Sequence, residues 1–90
     1  MSKSNGFTLF YRNVDYFFIT KKVNKTRRLA TEICRHLLIP DNASGIDAVL
    51  WNLRKANLEV TDKGAKIYGN GFSVCDPSGI GTGIVVIELD

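Results

Sequence analysis

Along the chain the spacing of apolar residues changes twice, and each change marks a different kind of element. Leu29, Ile33 and Leu37, together with Ala30, Cys34 and Leu38, share one face of a helix running from about Thr26 to Leu38. Its opposite face carries Arg28, Glu32, Arg35 and His36, and Pro40 stops it. A second helix begins at about Gly45, where Ser44 followed three residues later by Asp47 resembles a capping box. It buries Ile46, Val49, Leu50 and Leu53, which fall within roughly 60° of arc when each residue advances by about 100°. Trp51 projects about 130° away from that stripe, beside Asp47, Arg54 and Lys55. Asn57 closes the helix in a left-handed conformation.

From Leu58 the period becomes two. Strands are predicted over Leu58 to Thr61, Ala65 to Tyr68 and Phe72 to Cys75, separated by Asp62-Lys63-Gly64 and by Asn70-Gly71. The Asn-Gly pair is the strongest hairpin signal, and it sets Ile67 opposite Val74 and Tyr68 opposite Ser73. After a loop with Pro77 and several glycines, Ile84 to Leu89 opens with four apolar residues, the pattern of a strand inside a sheet.

The aromatic segment near the start supports two readings. Phe7, Phe10, Tyr11, Val14, Phe17 and Phe18 recur at helical spacing. By propensity the same residues form two strands, 7 to 12 and 15 to 21, with a turn near Asn13, Val14 and Asp15, where Val suits positive φ poorly. Strands are preferred. The fold expected is therefore α+β, two amphipathic helices on a mainly antiparallel sheet of four to six strands. The alternative is a winged helix with residues 7 to 20 as its first helix.

Composition narrows the class. Ninety residues make one domain, 1–90, able to bury roughly 60 to 65% of its unfolded surface. Nine aromatics and 44% hydrophobic residues exclude disorder. The polar start from Met1 to Asn5 and the short apolar runs point to a cytosolic protein with reduced thiols and no membrane span. Cys34 and Cys75 lack partners at zinc-ligand spacing, so no metal and no cofactor are expected. Enzymatic chemistry is not expected either. The one histidine, His36, lies on the polar helix face while Cys34 lies on the apolar one, and Gly79, Gly81 and Gly83 precede a strand where a dinucleotide fingerprint would need a helix.

The net charge of +3 is unevenly spread. Residues 1 to 45 hold eight basic and three acidic side chains, a balance of +5, whereas residues 46 to 90 hold four and six, a balance of −2. Most of the excess is Lys21, Lys22, Lys25, Arg27, Arg28 and Arg35 against Glu32 alone. Such a cluster is either a solvated surface or a site for phosphate, an acidic protein or anionic lipid.

The order helix, turn, helix, hairpin over residues 26 to 75 resembles a winged-helix DNA-binding domain. The stretch from Ile46 to Leu58 looks like its recognition helix and the region from Asp62 to Gly71 like its wing. The resemblance implies that Asp47, Trp51, Asn52, Arg54 and Lys55 face DNA, with Lys63 and Lys66 on the wing and the basic residues of 21 to 35 on phosphates. DNA or RNA is then the partner of a small regulatory domain. The other class is a protein-binding inhibitor, immunity or phage-type modulator that docks on an acidic surface, with Trp51 and Arg54 as anchors. Trp51 could instead be a second core layer beneath the aromatic segment. Oligomeric state is not encoded in any pattern here.

Overall fold

The computed structural model of the protein describes residues 2–61, 64–69 and 84–89. Two helices pack on a five-stranded, mostly antiparallel sheet, as expected for the α+β class. In chain order the elements are β1 (Ser2–Tyr11), β2 (Val14–Ile19), α1 (Arg27–Leu37), α2 (Ala43–Asn52), β3 (Arg54–Thr61), β4 (Gly64–Gly69) and β5 (Ile84–Glu88). Across the sheet the order is β4-β3-β1-β2-β5, with β5 parallel to β2 and the other neighbours antiparallel. No helix among the described residues is long and apolar enough to cross a membrane.

Residues 7 to 20 form a hairpin, so the alternative that made them a helix is not what the chain adopts. The turn is Arg12-Asn13, both at positive φ (51° and 64°), and Tyr11 pairs with Val14. The turn thus sits earlier than expected, and Val14 enters the strand and escapes the conformation it tolerates badly. Consecutive residues of β2 face opposite sides of the sheet. Phe18 joins Phe7, Leu9, Leu29, Ile33 and Leu53 in the core under the helices. Phe17 joins Ala56, Leu58 and Ile67 on the other side.

Helix α1 matches its predicted span, with the Thr26 hydroxyl accepting from the Leu29 amide at 3.0 Å. It is stopped by Leu38 in the left-handed region (φ 57°), before Pro40 is reached. The Ile39 amide donates to the Cys34 carbonyl and the Leu38 amide to the Arg35 carbonyl, the pair of bonds of a Schellman motif. Helix α2 starts two residues earlier than predicted. Its cap is Asn42, whose side chain accepts from the Gly45 amide at 2.8 Å, in place of Ser44.

Helix α2 also ends earlier, at Asn52, and Asn57 lies within β3, paired with Asn5 and Tyr68. The residues from Arg54 to Val60 alternate in character, and pairing with β1 on one side and β4 on the other overrides their helical propensity. β3 and β4 meet across residues 62 and 63, with Thr61 opposite Gly64. The predicted strand 72 to 75 and the Asn70-Gly71 turn lie outside the described residues. β5 was expected inside the sheet. It lies beside β2 at the end of the described order, with Ile84, Val86 and Ile87 half-buried and Val85 exposed.

Candidate functional site

The helices cover only part of one sheet face. On that face the cross-strand rows continue from the core into solvent: Phe7 beside Lys55, then Asn5, Asn57 and Tyr68 in one row, then Lys3, Glu59 and Lys66. Alternation places Ala56, Leu58 and Ile67 on the reverse face, where they are buried. Lys55, Asn57, Lys66 and Tyr68 are exposed. Polar residues at these positions are what an uncovered half-sheet requires.

A cleft of about 780 Å³ opens over this half-sheet, with Asn5, Asn57, Tyr68 and Lys55 on its floor and Lys21 and Lys22 along its wall. That size lies within the ordinary range for small-ligand sites. The wall is fixed to the floor at the end of β2, where the Thr20 amide donates to the Asn5 carbonyl (3.4 Å) and the Thr20 hydroxyl accepts from the Lys22 amide (3.1 Å). Three lysines therefore line one concavity whose only acidic lining residue among those described is Glu88. Lys22 is shared: its Nζ lies 2.9 Å from Glu32 Oε1, while Glu32 Oε2 is buried and finds no hydrogen-bond partner among the described residues.

No family model, curated protein or solved structure matches the chain.

The basic segment foreseen as one patch is divided by the fold. Lys21 and Lys22 reach the cleft, but Lys25 Nζ donates to the Leu50 and Leu53 carbonyls (3.3 and 3.1 Å), closing the C-terminal end of α2. Arg27 pairs with Asp47 across the two helices at 3.1 Å, and Arg35 lies 3.8 Å from Asp41. Arg28 is exposed on α1. The expected recognition helix is shortened too. Of the residues expected to face DNA from it, only Asp47, Trp51 and Asn52 lie on α2, and Asn52 donates back to the Ala48 carbonyl at 2.8 Å. Arg54 and Lys55 lie on β3 and alternate in side, so they cannot line one helical face. Arg54 holds the Trp51 and Leu53 carbonyls at 2.7 and 3.1 Å. Lys66 lies on β4, and Lys63 is outside the described residues.

Trp51 is 79% exposed, so the second-core-layer reading is overturned: the aromatic N-terminal segment packs into the sheet instead of over α2. Among the described residues no three His, Cys, Asp or Glu side chains come together to hold a metal ion. Cys34 is a buried free thiol whose pKa is pushed up by burial and, secondarily, by the Asp41 carboxylate, an inert setting for a nucleophile. Sequence reasoning missed Asn5, Asn57 and Tyr68. The available signal was the alternation Lys55, Asn57, Glu59 against Ala56, Leu58, Val60, which is a strand with one wet face.

Proposed function

We propose that the protein is a small non-enzymatic nucleic-acid-binding module that uses the lysine-bordered cleft on its open half-sheet. The observation carrying this reading is the convergence of Lys21, Lys22 and Lys55, from two distant stretches of chain, around amide and phenol groups in one concavity. Lysines supply phosphate contacts, while Asn and Tyr side chains supply the donors, acceptors and stacking surface that bases require. The test is binding of labelled DNA and RNA oligonucleotides by fluorescence anisotropy across a salt series. Two or three phosphate contacts give a log–log slope of about −1.4 to −2.7, and Lys55→Glu weakens binding throughout. Absence of binding at low salt refutes the reading.

A second reading is favoured by Trp51 alone. An exposed Trp whose carbonyl is gripped by Arg54 is the composition of a protein-docking anchor. On this reading the protein is a modulator that docks on an acidic partner. Trp51→Ala then leaves the fold and nucleic-acid affinity unchanged while removing the partner from pull-downs. Loss of nucleic-acid affinity in that variant assigns Trp51 to the first reading.

A further inference from the structure

We infer that the cleft accepts the bases of a single strand and does not engage a duplex groove; this deepens the nucleic-acid reading above and rests on it. The relevant geometry is a row of side chains running across the strands. Asn5 of β1 pairs in register with Asn57 of β3, which pairs with Tyr68 of β4, so three groups lie side by side at inter-strand spacings of about 4.8 Å. Two primary amides present a donor and an acceptor each, the complement of a base edge. Tyr68, 44% exposed at the end of the row, offers a ring on which a base can stack. The next row places Lys55 beside Phe7, and Lys21 rises from the wall. Base-reading groups therefore form one row, with Lys55 in the adjacent row and Lys21 on the wall beside it, which suits a strand whose bases lie along the row and whose phosphates meet the flanking lysines.

Paired bases offer nothing to such a floor. Duplex base edges are recessed in grooves and are read by elements that protrude, such as a helix or a two-stranded ribbon. The recess here is concave, and its amides sit on a sheet surface between loop and strands. The polar side chains of α2 that resemble a recognition helix are already engaged, the Asp47 carboxylate by Arg27 and the Asn52 amide by the Ala48 carbonyl.

The experiment compares a labelled 12-nucleotide single-stranded DNA, its RNA counterpart and the matching duplex in anisotropy titrations at low salt. Single strands are expected to bind at least tenfold more tightly than the duplex. Tyr68→Ala should lower single-strand affinity roughly five- to a hundredfold and leave duplex binding unaffected. A photocross-link from a bromouracil-substituted strand to the unaltered protein should map to Tyr68 by mass spectrometry, which makes the test independent of how any variant folds. If no oligonucleotide binds, the nucleic-acid reading itself fails. If Lys55→Glu abolishes binding but duplex binds as well as single strand, or the cross-link maps only outside the cleft, that reading stands and the single-strand inference is overturned.

Discussion

Gly6 sits where β1 is clamped between β2 and β3, opposite Ile19 on one side and Ala56 on the other, and it also lines the cleft. A methyl group there would stand 2.0 Å from the Phe18 carbonyl oxygen, 2.9 Å from its carbonyl carbon and 3.2 Å from Phe17 Cε1. Carbon and oxygen approach to about 3.3 Å in sheets, so Gly6→Ala must push β1 and β2 apart by more than about 1 Å. Side-chain rotation cannot relieve the contact, because the obstruction is backbone.

The magnitude follows from three terms. Overpacking costs about 1–3 kcal/mol, and each ladder hydrogen bond lengthened beyond use costs about 0.5–1.5 kcal/mol. The reduced entropy of the unfolded Ala chain returns about 0.4–1 kcal/mol. A net loss of about 2–4 kcal/mol follows, a large fraction of what a chain of this size possesses, and it lowers Tm by roughly 10–25 °C. Thermal melts by circular dichroism, with urea titrations to place the loss on a free-energy scale, measure it. A Gly6→Ala variant melting within about 3 °C of the parent would show that β1 and β2 are not held this closely.

Three further outcomes are expected. Leu38 holds a left-handed φ while its side chain is 89% exposed, so Leu38→Gly should remove strain without losing burial and raise stability by about 0.5–1 kcal/mol in urea titrations; a lower midpoint contradicts the Schellman ending. Glu32→Gln frees Lys22 for the cleft, so oligonucleotide affinity should rise at low salt with a log–log slope steeper by up to about 0.7, and weaker binding would assign Lys22 a purely structural role. Cys34 holds its proton more tightly folded than unfolded, so its contribution to stability is complete below the ordinary thiol pKa of 9.0 and is lost as pH rises through the higher folded value; urea midpoints should fall on that alkaline side less steeply in Cys34→Ala, and equal iodoacetamide reactivity in native and unfolded protein would refute the burial.

The parts of the fold legible in the sequence are those in which one residue set serves one surface. The stripe from Leu29 to Leu37 met a single core, so its period survived and α1 lies where that stripe predicts. Residues 7 to 18 serve two cores at once. Phe17 and Phe18 must face opposite sides, and the resulting apolar pattern imitates a helical stripe although the backbone is extended. The boundary between α2 and β3 was hidden for a related reason. Asn57 reads locally as a helix terminator, and only its partners Asn5 and Tyr68, one about fifty residues before it, make it a strand residue. The basic segment was visible as charge, but which cations face the cleft depends on Glu32, Asp47 and Asp41, whose positions the fold decides.

A polar half-sheet alone says little about function, because any strand with one wet face must carry such residues. The arrangement of charge says more. Lys25, Arg27 and Arg35 each face an acceptor of the chain's own, a carbonyl or a carboxylate, as cations do when their task is to stabilise the fold. Lys55, by contrast, borders the same concavity as Lys21 and Lys22 and forms no ion pair with a described residue. Bringing like charges together opposes folding, more so within a concavity than in open solvent. Replacing Lys55 by Gln should therefore stabilise the isolated protein slightly while weakening oligonucleotide binding. A repulsion that lowers stability in isolation and disappears on binding is what an anion site predicts, and a Lys55→Gln variant that lost stability and kept full affinity would remove the basis for placing the site here.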